Sequence, residues 1–133
     1  MAALDRVKAG NVARIALLDQ NPAFRRVTAQ LMDAHADLSL VSSLDHDGGA
    51  LAQVFQEDPH LILMGIDGPN ATALRSIPRI RQAMPGVGII ALAMSADRAY
   101  RQAALEAGAD DIVAKADLVS DLVPAIERLA QNL

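Results

Sequence analysis

Two charged residues of this chain are placed where they could take part in chemistry, because each directly follows a predicted strand. Asp19 follows the apolar segment 12–18, and Lys115 follows the short segment 111–114. A cation at the end of a buried strand is costly to hold unless a carboxylate pairs with it. The two residues therefore predict either a structural ion pair or a catalytic acid beside a cation, and their positions leave both readings open.

Further candidate positions follow the remaining predicted strands. They are Gln20 and Asn21 after the first strand, residues 65–67 after the third, and Ala93, Met94 and Ser95 after the fourth. In an open parallel sheet, ligands bind outside the carboxyl ends of the strands, close to the point where the strand order reverses. We therefore expect any site to lie at this edge, between the first and third strands. Ser95 is expected to cap a helix.

The elements that must position these residues are short apolar segments alternating with longer segments of helical period. Strands are predicted at 12–18, 38–44, 61–66, 87–93 and 111–114, with helices between them and a last helix at the end of the chain. Connections of this length fit right-handed parallel crossovers and not hairpins. The pattern predicts a three-layered, doubly wound α/β domain over residues 13–133 after a tail at 1–12. The expected strand order is the flavodoxin-like 2-1-3-4-5.

Composition excludes several classes of function. The 133 residues are 52% hydrophobic, which fits one domain with a full core, and the formal net charge of −4 with only 2% aromatic residues argues against binding of nucleic acid or anionic membranes. The absence of cysteine excludes disulfides and thiolate metal sites. The first dozen residues lack a signal-peptide pattern, and the apolar runs are too short to span a bilayer, so we expect a cytoplasmic protein.

Four segments of the chain together resemble a known family: RIALLDQNPAFR, DPHLILMGIDGPN, GIIALAMSA and ALEAGADDIVAKA. They are similar to the successive strand and loop signatures of response-regulator receiver domains, the phosphorelay modules of bacterial two-component systems. The segments occur in the same order and at matching separations, and the resemblance covers about residues 13–131.

The resemblance implies that the metal-binding and phosphoacceptor positions of the family are altered here. Receivers hold Mg²⁺ with two adjacent acids after the first strand; the first matches Asp19, but the second position is Gln20. The phosphoacceptor aspartate at the end of the third strand falls at Gly65, so the aspartate is lost. Mg²⁺ binding at Asp19 is therefore expected to be weak at best, and no other cofactor is expected.

The resemblance also implies that the switch residues of the family are altered. The Thr or Ser that senses the phosphoryl group falls at Ala93, and the aromatic switch residue of the fifth strand falls at Ile112. Lys115 matches the lysine that receivers carry after that strand. Because most of the changes affect one mechanism, we expect a degenerate receiver, a pseudo-receiver that is not an enzyme and is not phosphorylated at the usual position.

Three alternatives remain beside this reading. In the first, the chain is a working phosphoacceptor that uses Asp19 or Asp67. In the second, it is the N-terminal localisation domain of a larger pilus-assembly-type ATPase. In the third, it binds a small ligand in the altered pocket. Asp67 is expected to lie in a loop and to cap the turn beside Gly68 and Pro69.

The resemblance implies a partner-binding face on the fourth helix, fifth strand and fifth helix. Tyr100, Ala103, Leu118 and Leu122 are expected to lie on or near this face and to contact a protein partner or a second copy of the chain. The length leads us to expect that no output domain accompanies the receiver, with a fragment of a longer protein as the alternative.

Overall fold

The sheet is built from five parallel strands within residues 12–45, 49–67 and 72–131, which are the parts of the chain that the computed structural model describes. The strands are β1 Ala13–Leu18, β2 Leu38–Leu44, β3 Leu61–Gly65, β4 Gly88–Ala93 and β5 Asp111–Ala114. Their order is β2-β1-β3-β4-β5 and every pairing is parallel. The predicted fold class is therefore confirmed. The predicted tail lies outside the described residues apart from Val12.

Five helices connect and follow the strands in the described part of the chain. They are α1 Pro22–Asp33, α2 Ala50–Glu57, α3 Thr72–Ala83, α4 Arg98–Ala107 and α5 Leu118–Gln131, with a short 3-10 turn at Lys115–Asp117 before α5. The Asn21 side chain caps α1 by accepting hydrogen bonds from the amides of Ala23 and Phe24. Among these helices none is long and apolar enough to cross a membrane.

The three layers follow from the alternation of side chains along the strands. Residues such as Ala16 and Ile62 face α2, α3 and α4, whereas their neighbours Ile15 and Leu61 face α1 and α5. Strands buried on both faces read as continuous apolar segments, which is the pattern that β3 and β4 carry.

Leu118 and Leu122 correct the predicted partner face. Both side chains are buried in the core between the sheet and α5, together with Ile126. They lie on the inner stripe of α5, so they stabilise the fold and are not accessible to a partner. The exposed apolar residue at this end of α5 is Val119.

The segment between α4 and β5 is fixed by a glycine and an arginine. Gly108 ends α4 with a φ of 117°, a left-handed conformation that favours glycine. Arg81 of α3 donates from Nε to the carbonyl of Gly108 at 2.9 Å and forms an ion pair with Asp110 at 2.5 Å. The same Asp110 oxygen accepts the amide of Ile89 at 2.8 Å. These contacts join the beginnings of β4 and β5 to α3.

Candidate functional site

Asp19 and Lys115 meet at the carboxyl edge of the sheet. Lys115 Nζ lies 2.7 Å from Asp19 Oδ2, and the two side chains are 15% and 3% exposed. The strands bring the residues together because β1 and β5 both end at this edge, on either side of β3 and β4. The geometry shows the ion pair, which is common to both sequence-based readings.

The rest of the Asp19 carboxylate is also engaged. Oδ1 accepts the amide of Asn21 at 2.8 Å, while the Arg25 side chain donates to the backbone carbonyl of Asp19. Oδ2 is buried, and its contact with Lys115 lacks the directional geometry of a hydrogen bond. The orientation of Asp19 is therefore fixed by a backbone amide on one oxygen and by an ammonium group on the other.

Gly65 makes room for this orientation. A Cβ atom built on Gly65 would lie 2.0 Å from Asp19 Oδ2 and 2.8 Å from Asp19 Cγ, far inside van der Waals contact. Among the glycines that the structure describes, Gly108 has a positive φ and Gly65 does not. While Asp19 keeps this orientation, its carboxylate occupies the volume that a Cβ atom at position 65 would take, whereas the backbone conformation there does not exclude other residues.

Lys115 has two further neighbours. Its Nζ is 3.6 Å from Asp67 Oδ2 and 4.6 Å from the centroid of the Phe24 ring. A cation over an aromatic face gains electrostatic attraction from the ring, and the effect grows as water is excluded. One ammonium group is therefore surrounded by two carboxylates and one aromatic ring. Sequence reasoning missed Phe24, which carries no signal beyond its place near the start of α1.

Asp67 lies closer to the site than predicted. Its Oδ1 and Oδ2 accept the amide of Met94 at 3.1 and 2.9 Å, which joins the loop after β3 to the loop after β4. The expectation of a turn cap beside Gly68 and Pro69 names residues outside the described part of the chain, and the observed bonds are made with a different strand end. Asp67 is a quarter exposed, so it lies at the mouth of the site.

The remaining predicted positions carry no charge. Gln20 is exposed on the loop after β1, Ala93 is buried at the end of β4, and Ile112 is buried in the core that faces α3 and α4. Ser95 does not cap α4; Asp97 does, by accepting the amide of Tyr100, and Ser95 accepts the amide of Asp97.

The donor set at this edge does not fit Mg²⁺. The ion is bound through carboxylate oxygens, and both oxygens of Asp19 are already engaged by Asn21 and Lys115. The adjacent Gln20 is neutral. Within the described ranges, no group of three or more His, Asp or Glu side chains is arranged to hold a metal ion.

The predicted partner face retains two of its four named residues. Tyr100 and Ala103 are exposed on α4. Beside them, Asp111 at the start of β5 forms ion pairs with Arg101 of α4 at 3.2 Å and with Arg128 of α5 at 3.1 Å. One carboxylate thus connects the three elements of this face.

Comparison with known proteins identifies relatives for most of the chain. Residues 15–127 match the family model of the response regulator receiver domain. A protein-glutamate methylesterase/protein-glutamine glutaminase of Nocardioides sp. is 28% identical over 122 residues, which are 90% of this chain and 33% of the relative. The uncharacterized transcriptional regulatory protein YxjL of Bacillus subtilis is 25% identical over 119 residues, which are 90% of this chain and 55% of the relative. The chain thus spans about a third to about half of these relatives.

Solved structures agree with the sequence relatives. A two-component response regulator of the LuxR family from Aurantimonas sp. superposes with a TM-score of 0.80 at 27% identity, covering 92% of this chain and 87% of the other. The response regulator domain of Thermotoga maritima CheB superposes with a TM-score of 0.77 at 22% identity, covering 92% of this chain and 98% of the other.

Proposed function

Because this chain belongs to the response regulator receiver domain family, we propose that it is a two-component signalling domain that acts by binding protein partners without phosphorylation at the end of β3. The observation that carries the proposal is that position 65 has no side chain and that the Asp19 carboxylate fills the volume that one would take. Phosphorylation of a receiver domain requires a carboxylate that attacks the phosphoryl group as the nucleophile, and a divalent ion that neutralises the charge on the transferring oxygens. Gly65 offers no nucleophile, and the neighbouring volume is filled by Asp19.

Neither nearby acid is well placed to replace the missing nucleophile. The Asp19 carboxylate is 3% exposed and bound on both oxygens, so a phosphodonor would have to displace Lys115 to reach it. Asp67 is more accessible, but both of its oxygens accept the Met94 amide. These contacts support the unphosphorylated reading over a relay that uses Asp19 or Asp67.

The relatives support a signalling role for this chain rather than the role of a localisation domain in a pilus-assembly-type ATPase. The relatives described above are a transcriptional regulator and a methylesterase, and the chain matches only part of each. We propose that the domain itself catalyses no reaction and binds no nucleic acid. A cysteine-free, acidic chain fits the cytoplasm, where we place it.

We place the partner surface on α4, β5 and α5, around Tyr100 and Ala103. The ion pairs of Asp111 with Arg101 and Arg128 support this assignment, because they hold the three elements in one arrangement. A surface that is already ordered loses less conformational entropy on binding. The partner is a second protein or a second copy of this chain.

Phosphorylation is tested by incubating the chain with acetyl phosphate and Mg²⁺ and measuring its intact mass. We expect no added phosphoryl group, while a receiver with aspartate at the end of β3, treated in parallel, shows that the donor is active. The Asp19→Asn and Asp67→Asn variants are treated in the same way. Stoichiometric addition of a phosphoryl group to the wild-type chain would contradict the proposal, and the variant that loses it would identify the acceptor.

A further inference from the structure

The Asp67 carboxylate connects the ends of three strands. Asp67 follows β3 by two residues, accepts the amide of Met94 directly after β4, and lies 3.6 Å from the Nζ of Lys115 directly after β5. A hydrogen bond to an ionised acceptor is about twice as strong as one between neutral groups. The carboxylate is therefore well suited to hold the loop after β4 against the neighbouring strand ends.

Lys115 in turn fixes the position of Asp67. Its ammonium group contacts Asp19 Oδ2 at 2.7 Å, and Asp19 is itself held by the amide of Asn21. The series of contacts runs from the loop after β1, through Asp19, Lys115 and Asp67, to the Met94 amide. Every charged group in this series belongs to the chain itself, so the arrangement needs no bound ion or phosphoryl group.

The loop that Asp67 holds is short and leads directly into α4. Residues 94–97 connect β4 to Arg98, and Met94 is 72% exposed, so packing of its side chain contributes little to holding the loop. Farther along, Ala96 packs partly against the core and Asp97 caps the helix. The Met94 amide is consequently the anchor at the start of the loop. At its other end, the loop leads through the capping residue Asp97 into the first turn of α4.

We infer that Asp67 is a built-in clamp that holds the β4–α4 loop and thereby presets the first turn of α4 without any ligand. Asp67 is a positioning residue, since it acts through the Met94 amide. The assignment of this turn, with Tyr100, to a partner surface rests on the proposed function. The clamp itself is independent of the proposed function.

The clamp is tested by amide hydrogen exchange and amide chemical shifts, measured by NMR on the full chain. In Asp67→Ala we expect the Met94 amide to exchange at least about tenfold faster, with shift changes through residues 95–100, because its acceptor is removed. Asp67→Asn keeps an acceptor oxygen without the charge, so it should give an intermediate rate. Asp33→Asn alters an exposed acid at the opposite edge of the sheet and should change neither observable.

Two results would overturn the inference. One is an Asp67→Ala variant in which the Met94 exchange rate and the shifts of 95–100 equal those of the wild type. The other is an equal rise in exchange at Met94 and at core amides such as Ile90, which would indicate a general loss of stability. Phosphorylation of the chain would contradict the proposed function while leaving these exchange rates as an independent test of the clamp.

Discussion

Replacement of Gly65 by alanine tests whether Asp19 really fills the side-chain volume at the end of β3. The added Cβ would lie 2.0 Å from Asp19 Oδ2, against an ordinary contact distance of 3.4–4 Å. Either the strand shifts or the Asp19 carboxylate rotates away from Lys115. In both cases the variant is destabilised by the added methyl group and not by backbone strain, because the φ of Gly65 is accessible to alanine.

The magnitude follows from the opposing contributions. Overpacking in a well-packed interior costs about 1–3 kcal/mol, and separating a buried ion pair costs about 3–5 kcal/mol when one charge is left without its partner. Alanine in place of glycine inside a strand recovers about 0.5–1 kcal/mol. Since Asp67 remains near Lys115 after Asp19 rotates, we expect a net destabilisation of about 2 kcal/mol for Gly65→Ala.

A double-mutant cycle separates this contact from other effects of the substitution. In an Asp19→Ala background the nearest remaining atom of residue 19 is its Cβ, at 3.4 Å from the added methyl group, which is an ordinary contact. Gly65→Ala should then be neutral or slightly stabilising. The coupling free energy between the two positions should be about 2 kcal/mol, within the range for residues in direct contact.

Urea unfolding followed by far-UV circular dichroism measures the four free energies. With an m-value of about 1–3 kcal/mol/M, a loss of 2 kcal/mol lowers the midpoint by roughly 1 M. A Gly65→Ala variant that is as stable as the wild type would refute the reasoning. So would an equal effect of Gly65→Ala in both backgrounds, because it would mean that Asp19 does not occupy this volume.

Two more substitutions probe the contacts around the site and the fold. Lys115→Met leaves the Asp19 carboxylate buried without its cation and should destabilise the chain by about 3 kcal/mol in urea unfolding. The Asp19→Asn/Lys115→Met double variant should recover much of the lost stability. Equal instability of the single and the double variant would contradict the ion-pair account. Gly108→Ala forces a Cβ into a φ of 117° and to 3.2 Å from Ile77 Cγ2, so the thermal midpoint should fall by an amount equivalent to about 1–3 kcal/mol. Gly86→Ala, where φ is not positive, should cost less, and a reversed order would count against the role of Gly108.

The sheet and its strand order were predictable because they depend on features that are local in the sequence. Unbroken apolar segments such as 61–65 mark strands buried on both faces, and the long connections between them require parallel crossovers. The meeting of Asp19 with Lys115 was predictable for the same reason, since parallel strands end at one edge. The sequence left open only whether the pair is structural or catalytic.

The details of the site were not predictable because they depend on side-chain orientation. Nothing in the sequence indicates that Asp19 turns toward Gly65, or that Asp67 reaches the Met94 amide directly after the neighbouring strand β4. The burial of Leu118 and Leu122 does have a signal in the sequence, because with Ile126 they recur at a spacing of four residues, which places them on one face of α5.

The central claim is that the Asp19 carboxylate occupies the side-chain volume of Gly65 at the end of β3, so that this site accepts neither Mg²⁺ nor a phosphoryl group. Titration of the isotopically labelled chain with beryllofluoride and Mg²⁺, followed by NMR, tests this claim most directly. The account predicts that the amide resonances around Asp19, Gly65 and Met94 stay almost unchanged. Saturable shifts of these resonances in the loops after β1, β3 and β4 would contradict it.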